Sequence, residues 1–188
     1  MATLPPISPH ARVLALVERT VGEWAANDRT MLAGAMPEHI SDPIPLYRVD
    51  LDALKEAGDE LPVHQQGWRT LLIAPVGGAR AADVRGVDSE LSFARLASGP
   101  GIDAMLAAAQ EAEAAAAVDA KQEIRLIESD ALKVAALWVH GEKSFVRPYL
   151  GLRPDHYSEG RFRAVLAERL KQIEAQYRPD EYGEPVGV

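Results

Sequence analysis

The sequence predicts an α+β fold: one antiparallel sheet with helices layered on one face. Three observations carry this. Two stretches change from helical to two-residue hydrophobic periodicity, at about Trp68 and Glu123. Each stretch breaks into three short strand-like runs at turn residues, and each is followed by a helical stripe. Short turns repeated this often favour antiparallel neighbours over parallel crossovers. The expected architecture is therefore a sheet built from two three-strand meanders. An N-terminal helix, a central Ala-rich helix and a C-terminal helix pack on it.

Residues 1–8 carry two prolines and no pattern, and read as a flexible arm. Ser8-Pro9 is a helix start, a side-chain cap followed by proline at the first helical position. Val13, Val17, Val21 and Trp24 then form an apolar stripe on a helix of about residues 9–34, ended by Gly34 and Pro37. Residues 46–49 read as a short strand, which Pro45 places at a sheet edge or a strand start. Residues 51–57 suit one or two helical turns, and 58–67 a loop.

Trp68–Ala74 and Ala79–Val84 form a hairpin about Gly77-Gly78, where both glycines tolerate positive φ. Leu91–Leu96 is the third strand. Gly99-Pro100-Gly101 opens the central helix, with Asp103 favoured by the macrodipole and alanine sustaining it to about Val118. Glu123–Ile127 begins the second set. Lys133–His140 is apolar on both faces and reads as a central, buried strand. Phe145-Val146 starts an edge strand, because Pro148 cannot donate to a ladder. Ser158 caps a last helix with the stripe Phe162, Leu166, Ile173 and Tyr177. Residues 9–178 are one domain, and 179–188 read as a flexible acidic tail.

Composition removes whole classes of function. The chain has 188 residues and no cysteine, so disulfides, zinc–thiolate centres and thiol nucleophiles are excluded. The formal charge of −8 opposes a nucleic-acid footprint and a polybasic membrane surface. No run approaches the ~20 apolar residues of a membrane span, and the start lacks the basic n-region of a secretion signal. The expected address is cytoplasmic. Arginine outnumbers lysine 15 to 5 and alanine is abundant, the signature of a GC-rich bacterial genome.

Three constellations carry possible chemistry. His140 and Glu142 lie two apart, on one side of an extended strand, and share a metal or proton if Asp155 and His156 fold back. The competing reading makes His140 the end of a buried strand and Glu142 a solvated turn residue. Gly99 and Gly101 offer free helix-start amides to an anion, assisted by Arg147 or Arg153, yet neither a P-loop nor a dinucleotide fingerprint is present. Arg147, Arg153, Arg161 and Arg163 form the clearest basic cluster. Trp24, Trp68 and Trp138 fall at core phases and read as anchors. His10, His39 and His64 sit in caps or loops.

With polar groups scattered and apolar patterning strong, the expected function is non-catalytic: binding a protein partner or self-assembly, with no cofactor or metal. Phe145–Tyr149 and Ile44–Val49 are the strands expected to pair with another chain. A hydrolase or metal-assisted enzyme using His140, Glu142 and His156 is the alternative. A binder of small anions at Gly99–Gly101 is the second.

Overall fold

Each element begins where local chemistry permits it. The computed structural model describes residues 8–27, 37–75, 78–87, 90–116 and 122–176. Helix α1 (Pro9–Asn27) starts at Ser8, whose Oγ accepts from the Ala11 amide at 3.3 Å. Strand β1 is His39–Ile40 and β2 is Ile44–Val49. The short helix α2 (Leu51–Lys55) is capped by Asp50, whose carboxylate accepts from the Asp52 and Ala53 amides. There follow β3 (Val63–Ile73), β4 (Ala79–Arg85), β5 (Ser92–Ser98), α3 (Pro100–Ala116), β6 (Glu123–Ser129), β7 (Val134–His140), β8 (Phe145–Leu150) and α4 (Glu159–Gln176). Over the described residues the fold is mixed α+β, with an eight-stranded, mostly antiparallel sheet and four helices.

The strand order is β5-β4-β3-β2-β6-β7-β8, with β1 pairing the end of β3. All described pairings are antiparallel except β2 with β6, which run parallel from Leu46–Leu126 to Arg48–Glu128. Three expectations are corrected here. The strand 44–49 is the middle of the sheet, not an edge, and has neighbours on both sides. Pro45 is tolerated because the parallel ladder begins one residue later, at Leu46. Residues 63–67 are strand, not loop: β3 starts at Val63 and pairs with all of β2. His64 and His39 therefore lie in strands.

The third correction concerns the layers. Trp68 and Leu72 pack with Val13, Val17 and Val21 of α1, whereas the intervening Leu71 packs with Met105 of α3. Ile127, Trp138 and Val146 pack with Phe162 and Leu166 of α4, whereas Leu126 and Leu137 join the α3 side. The register across β2 puts Tyr47, Val49, Ile127 and Trp68 on one face and Ile44, Leu46, Leu126 and Leu71 on the other. So α1 and α4 cover one face and α3 the opposite one. Two-sided cover explains why β7 is apolar throughout and buried from Val134 to Val139. It lies one strand in from the β8 edge.

The sheet is curled around α3. In a flat sheet the outermost strands of this order would stand roughly 29 Å apart at ~4.8 Å per strand. Yet Arg95 of β5 and Leu150 of β8 line the same cavity, and α3 touches β4 and β5 as well as β7 and β8. Register irregularities at Leu46/Tyr47, Asp83/Val84 and Ala135/Ala136 supply the bend, since a bulge kinks its strand and increases local twist. Gly67 lies beside the first of these: a Cβ there would come within 2.1 Å of the Val84 carbonyl oxygen. The expected end of α1 near Gly34, the turn residue Gly77, Val118, Tyr177 and the two chain ends lie outside the described residues.

Candidate functional site

The concave face carries a charged cluster among apolar neighbours. Arg69, in the middle of β3, is 2% exposed. Its register partner is Asp83 of β4, and the two form a bidentate pair: Nε to Oδ1 at 2.6 Å and Nη2 to Oδ2 at 2.9 Å. Nη1 donates to Glu128 of β6 and lies 3.8 Å from the Met105 sulfur of α3. Asp83 also accepts from Nε of Arg95 on β5, at 2.7 Å. Four strands thus contribute two cations and two carboxylates, and the cluster opens to solvent through Arg95, whose side chain is 60% exposed.

The electrostatics follow from this geometry. Burial, the largest influence on Arg69, disfavours its cation, but Asp83 and Glu128 outweigh it and raise its pKa above the ordinary arginine value. Burial also pushes Asp83 up, and hydrogen bonds and charge from Arg69, then Arg95, more than reverse it, so its pKa is lowered. Tyr149 of β8 reaches the same region. Burial, then the Glu128 carboxylate, raises the pKa of its phenol. Among the described residues the buried Tyr149 hydroxyl makes no hydrogen bond of ordinary geometry, though Arg69 lies near enough to oppose the rise. The shifts keep Arg69 charged and Asp83 ionised, and the pair ties β3 to β4.

The residues singled out from sequence are dispersed. His140 ends β7 on the α4 face, its ring 4.8 Å from that of Trp138 and its Nδ1 3.7 Å from Glu159 Oε1. Glu159 also accepts the Trp138 indole N–H at 2.8 Å. The carboxylate facing His140 is therefore Glu159, the first residue of α4. Glu142 is exposed in the β7–β8 turn. His156 stacks on Phe145, with ring centroids 4.6 Å apart. Phe145 pairs with Val139 and so lies on the face opposite His140. Asp155 is exposed in the loop that follows β8. Among the described residues, no three His, Asp or Glu side chains are grouped to hold a metal.

Gly99, with φ of 108°, is the turn into α3, and open space surrounds both Gly99 and Gly101. Arg147 is not near them. It pairs with Glu111, ten residues and about 15 Å along α3 from Gly101. Arg153 is exposed in a loop. The arginine cluster does not form a patch. Arg163 is buried and donates to the backbone carbonyls of Ala53 and Glu56, tying α4 to the end of α2. Arg161 lies over the Tyr157 ring. Trp68 and Trp138 are buried anchors, and Trp24 meets Phe93 edge-on at 4.9 Å.

The two sheet edges differ. On β8, Val146 exchanges both backbone hydrogen bonds with Tyr157, at 2.8 and 2.9 Å. Val146 thus points its amide outward, and so does Pro148 two residues on, which has no N–H to give. On β5, six of the seven residues pair with β4, Ala94 being left out at the bulge, and among the described strands β5 has no other neighbour; Ser92, Ala94, Arg95 and Ser98 are exposed. The parallel β2–β6 ladder also opens above Leu46, where Pro43 and Pro45 help to line a cavity of about 520 Å³ with Ile44, Leu106 and Ile124.

The charged cluster has a sequence signal that the motif reading passed over. Arg69 interrupts Trp68–Ile73, and Asp83 interrupts Ala79–Val84. Their pairing was not set by the expected turn: a two-residue turn at Gly77-Gly78 would put Arg69 opposite Gly86, whereas the observed register pairs Ile73 with Ala79 and so Arg69 with Asp83. Comparison with family models, with curated proteins and with solved structures finds no match to this chain.

Proposed function

We propose that this protein acts by binding another polypeptide along the free edge of β5, as a protein-interaction or self-assembling module. The observation that carries the reading is the asymmetry of the edges. Among the described strands β5 has a neighbour on one side only, so the outward-facing backbone groups of its alternate residues have no strand partner, whereas β8 is bridged by Tyr157 and broken by Pro148. An exposed edge of this length is a template for strand addition. Arg95, the one charge on β5, is drawn back over β4 by Asp83 and so leaves the edge clear. The strand Ile44–Val49 takes no part, because both of its sides are occupied.

The absence of cysteine makes a site-specific test direct. Ala94→Cys on β5 and Glu142→Cys in the β7–β8 turn are each labelled with a short photo-crosslinker and irradiated in extract of the native host. The expected result is one discrete adduct from position 94, absent from position 142, with slowed hydrogen exchange of the β5 amides in the isolated complex. An adduct of twice the chain mass identifies self-assembly; another mass identifies a second protein. The same adducts from both positions, or none from position 94, reject the reading.

A further inference from the structure

We propose that the cavity at the open end of the concave face binds a small organic oxyanion, a carboxylate or phosphate carried on a short apolar body. The cavity measures about 410 Å³ and is lined from β5, β6, β7, β8 and α4. That size suits a small ligand, and such sites combine apolar walls with a few directed polar groups. Here three cations converge: Arg95, Lys133 and Arg169. Arg95 is itself paired with Asp83 at 2.7 Å, which leaves Lys133 and Arg169; the cavity also holds two carboxylates, but each already has a cation. Glu128 pairs with Arg69 and Asp130 with Arg48, the latter at 2.9 Å. Lys133 has no ion partner among the described residues. Arg169 spends one N–H on the Gly151 carbonyl, at 2.7 Å, and keeps its other donors. The surplus is positive, on a chain whose formal charge is −8.

Two further features single out this place. Lys133 is the one described non-glycine residue with positive φ, at 52°. It is fixed by close packing: a Cβ on Gly151 would fall 1.8 Å from the Lys133 carbonyl oxygen, and Gly151 has φ of 80°. A glycine would take the Lys133 backbone conformation without strain, so lysine here sets a charge at the cavity mouth at a conformational cost. Leu150 is the one large hydrophobic side chain that stands exposed among the described residues, at 52%. With Ala135, its register partner on β7, it forms an apolar wall beside the cations. Cations next to an exposed apolar wall match an anionic head on a short hydrocarbon body.

The test is calorimetric titration of the full chain at low salt with hexanoate and, separately, with inorganic phosphate. Hexanoate is expected to bind. Lys133→Gly is expected to weaken it at least tenfold while the unfolding temperature holds or rises, which separates loss of the site from loss of the fold. Leu150→Ser is expected to weaken hexanoate and leave phosphate unchanged. Equal binding of hexanoate and phosphate, with Leu150→Ser silent, overturns the apolar body and leaves a phosphate group as the source. Binding of neither probe at millimolar concentration, or equal binding by Lys133→Gly and the natural chain, overturns the site.

Discussion

The two faces of the sheet solve the same packing problem with different chemistry. The face under α1 and α4 is filled by hydrocarbon: Val13, Val17 and Val21 over Trp68 and Leu72, and Phe162 and Leu166 over Ile127 and Ala136. Its polar contacts sit near the margins, as with Glu159 beside Trp138 and His140. The face around α3 buries ions at its centre, with Arg69 held by Asp83 and Glu128 across three strands. An apolar contact tolerates small displacements. A buried bidentate pair does not, because each charge depends on its partner's position. The concave face is therefore the one that specifies register, and it joins the edge strand β5 to β3 and β6 through Arg95 and Asp83.

The largest expected effect breaks this cluster. Asp83→Ala leaves Arg69 buried without its bidentate partner and should cost about 3–5 kcal/mol in denaturant unfolding. Replacing all three charges, Arg69→Met with Asp83→Leu and Glu128→Gln, should recover most of that loss, since no buried ion is then left without its partner. A triple variant as unstable as Asp83→Ala would show that the cluster contributes more than paired charge.

The second prediction concerns pH. The pKa of Asp83 is lowered in the folded protein, so the unfolded state binds more protons at acid pH. Its stabilising contribution is complete above the unfolded carboxyl value of about 4 and is lost as pH falls from there toward the folded value. Stability measured from pH 6 to pH 3 should fall more steeply for the natural chain than for Asp83→Asn. Parallel curves would remove Asp83 as the acid-sensitive group.

The smallest effect is expected on the other face. Glu159→Gln keeps an acceptor for the Trp138 indole and removes a half-exposed charge beside His140. It should change stability by less than about 1 kcal/mol. A loss as large as that of Asp83→Ala would erase the distinction between the two faces.

Much of this was legible along the chain. Val13, Val17 and Val21 repeat at helical spacing and are buried at 0%, 0% and 2%. Ser8 and Ser158 each cap the helix that follows them. Pro148 marks an edge strand, and β7 is buried as its apolar run demands. These are properties of neighbouring residues, and periodicity and capping report them directly. The hairpin of β3 and β4 was legible as well, but not the register that sets Arg69 across from Asp83.

What the sequence alone determined was the content of the fold and the apolar side of each element: mixed helices and strands, their approximate limits, and a chain without thiol chemistry. The tertiary structure decided which strand stands beside which. Only the parallel pairing of β2 with β6 moves Ile44–Val49 from an expected edge to the centre. Only the curl of the sheet brings Arg95 and Leu150 to one cavity, and only the register of β8 on β7 sends His140 and His156 to opposite faces. Strand order and curvature are set by contacts between residues far apart in the chain, and local periodicity carries no information about which distant strand will supply the partner.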